Sequence, residues 1–252
     1  MYSEEELEKL ENEEHALTEE ALVAMFAILR STQAGLEKEF RAFYQQYGKN
    51  GVVTYQEARK YISKKKHQRR LFWLFALLTQ TFSDLGGKLY TKFDTLIQGV
   101  IAKESAFFNV KIEKPNVKWG ADDLAWSDRL ANDVDQWCYN IAGDIKRGML
   151  RRDNIDDVLD MIDGRFTTME RVLKALGITE TTAVGSIARK EIFKELGIKK
   201  YRFYTQADER TCEVCGAMHG LVFPMSSYEP GVTAPPMHPR CRCITVGIPN
   251  EH

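Results

Sequence analysis

The sequence predicts a mainly α protein: an elongated helical body followed by a small C-terminal α+β unit. Three observations carry that prediction. Apolar residues through the first two thirds recur every three to four positions, the spacing of one helix face. After Gly197 the pattern changes to alternation, as in strands. Four of the five cysteines, with a histidine among them, fall between positions 212 and 243.

The helical part reads in order. Leu22, Phe26, Leu29, Leu36, Phe40, Phe43 and Tyr47 form a heptad-like stripe interrupted only by Gln33. Gly48 and Asn50-Gly51 end that helix. Thr54-x-x-Glu57 is a capping box opening a second one, which runs on through a basic patch. Leu71 to Leu78 is apolar on every side and predicts a buried helix or an oligomer contact. Gly86-Gly87 marks a break or bend, and another helix covers Leu89 to Phe108. The stretch 109–120, with Pro115 inside it, is the main organisational break. A helix pair follows, the first ending near Arg147 and the second holding Val158, Leu159 and Ile162. Thr167-x-x-Glu170 caps a short helix closed by Gly177. The last long helix runs from Glu180 to Leu196 and stops at Gly197. Tyr201–Tyr204, Leu221–Phe223 and Cys243–Val246 then read as strands. Three regions result: a helical 1–115, a helical 116–198, and a β-rich 199–252 built around the cysteines.

Composition narrows the function classes. The chain has 252 residues, 44% of them hydrophobic and 28% charged, with a formal net charge of -1. It can bury a sizeable core and is no general polyanion binder. Charge is nevertheless segregated. The first twenty residues hold nine glutamates and one lysine, whereas 59–70 hold seven cations and no acid. Arg59, Lys60, Lys64, Lys65, Lys66, Arg69 and Arg70 are therefore candidate phosphate contacts, with a solvated helix face as the plainer reading. The N-terminus lacks the basic and apolar regions of a signal peptide, and the longest apolar run is too short to span a bilayer. A cytosolic protein without membrane contact is expected, and in a reducing compartment clustered cysteines favour a metal over disulfides.

Cys212-x-x-Cys215 offers two thiolates at knuckle spacing. His238-x-x-Cys241-x-Cys243 offers three more donors. Thiolate and imidazole are the ligands zinc prefers, and a closed structural site needs four. Cys212, Cys215 and His238 with Cys241 or Cys243 complete the set. Two thiols at i and i+2 share one side of a strand, so both stay candidates, and the turn at Pro239 favours Cys243. Reduced core thiols without metal are one alternative. Redox chemistry at the Cys-x-x-Cys pair is another, but it calls for a helix N-terminus in a βαβ setting that the pattern does not provide. His219 reads as a surface imidazole and Cys138 as a small core hydrophobe.

These blocks carry a resemblance. Tyr204-x-x-x-Asp208-Glu209-Arg210-Thr211-Cys212-x-x-Cys215, Gly220-x-Val222-Phe223 and Pro235-Pro-x-His238-Pro-Arg-Cys241-Arg-Cys243 resemble the phage Mu F-like head morphogenesis family, the minor head or minor capsid proteins of tailed phages and prophages. Trp126-Ser127-Asp128-Arg129 and Ile178-Thr179-Glu180 resemble the same proteins, with Ile178 where an arginine is usual. The likeness covers about 119–248. It implies a non-enzymatic virion protein, in the head interior or at the portal vertex, in the host cytoplasm during assembly, with the portal protein as partner. A major capsid or scaffold protein and DNA are further candidate partners, and DNA passage a further role. On this view the zinc is structural and the C-terminal unit is a zinc knuckle. Two other readings compete: a zinc-knuckle nuclease with His219 as base, and a DNA-binding adaptor using the basic patch. In the structural reading Asp208 caps a turn and Arg210 or Arg242 forms a local salt bridge.

Overall fold

The computed structural model describes residues 4–53, 68–112, 115, 117–205 and 209–250. Among these are five helices: α1 (Glu4–Tyr47), α2 (Gln68–Phe108), α3 (Trp126–Arg151), α4 (Ile155–Glu195) and the short α5 (Glu213–Met218). Three strands, β1 (Lys200–Tyr204), β2 (Val222–Pro224) and β3 (Ile244–Ile248), form one antiparallel sheet of order β2-β1-β3. The chain divides into two compact units. The first takes Met1–Val23, Lys92–Arg129 and Leu173–His252; the second takes Ala24–Thr91 and Leu130–Val172.

The second unit is helical and buries the stripes read from the sequence. Leu29, Leu36, Phe40 and Phe43 on α1 are buried, as are Val158, Leu159 and Ile162 on α4. Trp137 sits edge-on to both Phe82 and Phe166, at 5.5 and 4.8 Å between ring centres. Its indole N–H donates to the Arg165 carbonyl at 2.7 Å, so the buried ring leaves no polar atom unpaired. Gln33, the polar interruption of the stripe, donates to Glu37 and Asp163 and so marks the edge of the buried face.

The first unit packs an apolar cluster against the sheet. Leu7 and Leu10 of α1, Phe108 of α2, and Ile192 and Phe193 of α4 meet Tyr201, Tyr228, Ala234 and Ile244. Phe108 and Phe193 meet edge to face at 5.8 Å. At the end of α4, Ile198 N–H donates to the Phe193 carbonyl and Gly197 N–H to that of Lys194, at 2.9 and 3.0 Å. Gly197 has φ +69°. This is the six-to-one, five-to-two pattern of a Schellman cap, with Ile198 packed back on Phe193's cluster. The stop expected at Gly197 is therefore present.

Two expected stops are not. Gly177 does not close a short helix, and Thr167 caps nothing, because α4 is continuous from Ile155 to Glu195. A Cβ at Gly177 would lie 3.2 Å from Leu22 Cδ2, so the missing side chain admits Leu22 rather than ending the helix. Thr179, Thr181 and Thr182 bond back to carbonyls four residues earlier, which keeps their hydroxyls satisfied inside the helix. Gly86-Gly87 likewise leaves α2 unbroken. Interior glycines cost about 1 kcal/mol each, which burial of neighbouring Leu85 and Leu89 outweighs. α1 starts well before the stripe, at Glu4. The irregular stretch after Phe108 holds no helix among its described residues.

Candidate metal centre

The first knuckle grows from the end of β1. Cys212 takes an extended conformation and caps α5, its Sγ accepting from the Cys215 amide at 3.4 Å. One turn of helix then carries Cys215 inward, where it is buried. His219 ends the turn, and Gly220, with φ +81°, returns the chain toward β2 while donating to the Phe203 carbonyl at 2.9 Å. The Cys-x-x-Cys pair thus opens a short helix, with Cys212 as the N-cap of α5. Among the described residues the sheet is antiparallel throughout, however, and supplies no βαβ unit.

The second knuckle is held by α4. Thr179 Oγ1 accepts from the Arg240 amide at 2.9 Å, and the Thr182 hydroxyl donates to the Cys241 carbonyl at 2.7 Å. Cys241 N–H returns to the His238 carbonyl at 3.1 Å, closing a turn in which Arg240 has φ +64°. His238 Nδ1 lies 2.8 Å from the Pro239 carbonyl, so that nitrogen carries the proton. Nε2, 3.4 Å from Cys215 Sγ, is then the nitrogen left to coordinate once it is deprotonated, the tautomer a metal requires.

The donors converge. Cys212, Cys215 and His238 place their ligand atoms within 4.8 Å of one another, and so do Cys215, Cys241 and Cys243. Cys215 and Cys241 have Sγ atoms 3.8 Å apart. Two thiolates at about 2.3 Å from a tetrahedral ion would be separated by roughly 3.8 Å. The spacing therefore fits a shared ion, and it is too long for a disulfide, whose sulfurs sit about 2.0 Å apart. A cavity of about 20 Å³ opens among Cys212, Cys215, His238 and Cys243, with Arg210, Arg240 and Arg242 around it. All five residues predicted as donors are brought together. Cys241 and Cys243 lie just before β3 rather than on it.

Electrostatics split the thiols. A hydrogen bond from Cys243 brings the Cys241 thiol down to about 5 against the pull of burial. The same bond, with burial, holds Cys243 protonated. Burial lifts Cys215 to about 12, and the Cys215 amide lowers Cys212. His238 is raised: burial opposes its protonation, but the Pro239 carbonyl and the neighbouring sulfurs prevail. An anionic sulfur beside protonated ones is the electrostatic setting a cation stabilises.

The remaining candidates stand apart from this centre. His219 is exposed, lies against Tyr204 at 5.1 Å, and its Nδ1 accepts from the Thr205 amide at 3.1 Å. Cys138 is half-buried rather than a core residue, and burial raises its thiol to about 12. Arg59, Lys60, Lys64, Lys65 and Lys66 lie outside the described residues, as do Thr54, Glu57 and Asp208; Arg69 and Arg70 stand in the first turn of α2.

Two supports were not assigned roles from the sequence. Thr179 and Thr182 anchor the second knuckle; their signal is a run of threonines inside a helix, where hydroxyls are otherwise neutral at best. Glu180, whose side chain is 1% exposed, accepts from Trp119 Nε1 at 2.8 Å and from Arg129 at 3.3 Å. Arg129 also holds the Trp119 and Leu124 carbonyls and Asp122, and covers the Trp119 ring. Arg129 and Glu180 thus join two of the sequence blocks into one buried network.

A mainly helical chain with a small antiparallel sheet and a convergent Cys/His cluster is the class the fold and site define. Residues 139–246 match the family described as Phage Mu protein F like protein. The match agrees with the resemblance that the motif blocks carry, and that family points to phage head morphogenesis. No curated protein and no solved structure gives a match. Among the described residues no helix is long and apolar enough to cross a membrane.

Proposed function

We infer that this chain is a minor head protein of a tailed phage or prophage, acting without catalysis in head assembly at the portal vertex and in passage of DNA. The observation that carries the reading is the family match over 139–246, a span that contains all five donors and the α4 threonines that anchor the second knuckle. The cluster is a structural zinc site. Thiolate and imidazole donors match zinc, and an ion there would substitute for the apolar core that so small an element lacks. Cys212, Cys215 and His238 would hold it with Cys241 or Cys243.

In this reading 1–115 supplies the portal or oligomer contact, 116–198 the helical part of the head morphogenesis domain, and 199–252 the metal-binding unit. The partner is the portal protein, with major capsid or scaffold protein and DNA as further contacts. The protein resides in the virion and, before that, in the host cytoplasm. The geometry favours a structural over a nucleolytic centre, because His219, the base a nuclease would need, sits outside the donor cluster with Nδ1 engaged by the backbone.

Co-expression with the portal protein of the same phage tests the reading. The expected result is co-purification, with one zinc per chain by elemental analysis. A stably folded, zinc-free chain that ignores the portal would overturn it. DNA affinity that falls steeply with salt, and is lost on charge reversal of Lys64 to Lys66, would add the genome as a partner.

A further inference from the structure

Among the described residues of the first compact unit, one buried guanidinium faces two carboxyl groups. Glu104 of α2 is fully buried, and Arg189 of α4 is 2% exposed. Arg189 Nη2 lies 2.5 Å from Glu104 Oε1 and 3.5 Å from Oε2 of Glu14 on α1. Both carboxylates also lie against Gly185 of α4, where a Cβ would stand 3.4 and 3.5 Å from them, at ordinary contact distance. One guanidinium thus faces two carboxyls from two different helices. Glu14 Oε1 and Arg189 Nε are buried without a hydrogen-bond partner.

Two ionised carboxylates held together in a dry site repel each other, so one must keep a proton or admit water. Both carboxyls are raised, by burial first and, for Glu14, by its Glu104 neighbour next. Water has a way in. A cavity of about 220 Å³ adjoins the triad, with Glu14, Arg189 and the Thr18, Thr181 and Ser186 hydroxyls in its wall. Among the described residues the other charged or titratable groups facing this region are Glu11 and His15 from α1, Tyr228, and Arg210, Arg242 and Cys243 from the knuckles. Lys103 is turned outward to Glu13.

We propose that Glu14, Glu104 and Arg189 form a proton-coupled latch that holds the first turns of α1 against α2 and α4, and that loosens when the shared proton is lost. The folded state keeps a proton that the unfolded segment gives up near the ordinary carboxylate value. Stability from the latch is therefore complete below that value and is lost as pH rises through the raised one. The proton leaves to solvent, the carboxylates separate, and water enters from the cavity. Leu7 and Leu10, packed in the apolar cluster, oppose release and set how far α1 opens.

Hydrogen exchange of the full chain as a function of pH tests the latch. After correction for intrinsic exchange, protection of amides 7–18 should fall up to about tenfold per pH unit above the ordinary carboxylate range, the slope of one linked proton. In Glu104→Gln and in Glu14→Gln that slope should flatten. Carboxyl carbon resonances of the wild type give a check that needs no variant: one of the two groups should remain protonated above the ordinary range. The proposal is overturned if corrected protection is flat in the wild type, if both variants keep the wild-type slope, or if both carboxyls ionise at the ordinary value.

Discussion

Tyr201 and Phe203 are two residues apart on one strand and on one face of it, and both are fully buried, yet they enter different kinds of core. Tyr201 joins the cluster of Phe108, Phe193, Tyr228 and Ile244, where aromatic rings meet at 4.5 to 5.8 Å. Phe203 joins a cluster whose other buried members are Cys215, Cys241 and Cys243. The first needs only packing, because burying such side chains is worth about 2 to 3 kcal/mol apiece. The second has one large side chain and three small polarisable ones, too little apolar area to order two knuckles. The contrast assigns the aromatic cluster to the fold of the unit and sets apart the thiol cluster as the one that could hold an ion.

Removing the proposed ion should break this comparison most sharply. Structural zinc contributes apparent energies of roughly 10 to 16 kcal/mol in small knuckles. A strong chelator is therefore expected to abolish amide protection in the two knuckles, over 212–219 and 238–243, while the C-terminal half of α4 and the Phe193 cluster, with Tyr228 and Ala234, stay protected. Exchange mapped before and after chelation checks it. Unchanged protection in the knuckles would mean that packing alone suffices there.

The converse variant is Phe193→Ala. It removes a ring that Phe108 meets edge to face and that lies so close to Gly247 that a Cβ placed there would stand 3.1 Å from it. A loss of about 3 to 5 kcal/mol is expected from denaturant unfolding, as for large-to-alanine changes in close-packed cores. The zinc content of the folded fraction should not change. A variant that lost zinc in proportion to its stability would show the two clusters to be one cooperative core.

Much of this contrast was legible in the sequence. Periodicity located the helices because each buries one face, and alternation located the strands. The donor set was visible because thiol and imidazole spacing is local and zinc chemistry is restrictive. What periodicity missed was non-local. Gly177 looks like a stop until Leu22, 155 positions away, is seen to fill its place. Glu104 and Arg189 look like surface charges on amphipathic helices until the fold puts them together. Thr182 looks like a weak helix former, and its role depends on a carbonyl 59 residues further on. The choice between Cys241 and Cys243 stayed open because both thiols lie within reach of Cys215, the donor common to both groups.

Thr182→Val tests the smallest link between the clusters. Its hydroxyl is bonded to the Ile178 carbonyl at 2.9 Å and to the Cys241 carbonyl at 2.7 Å. Valine keeps the shape and leaves the Cys241 carbonyl, at the edge of the donor set, without that partner. The cost to global stability should be about 1 kcal/mol, the usual net worth of one such hydrogen bond. Zinc affinity should fall by about tenfold, the low end for losing an outer support of a metal site, and competition with a chromogenic chelator reads it directly. Affinity unchanged within twofold would show that the second knuckle holds its own geometry. A fall far beyond a hundredfold would mean that α4 builds the site rather than supporting it.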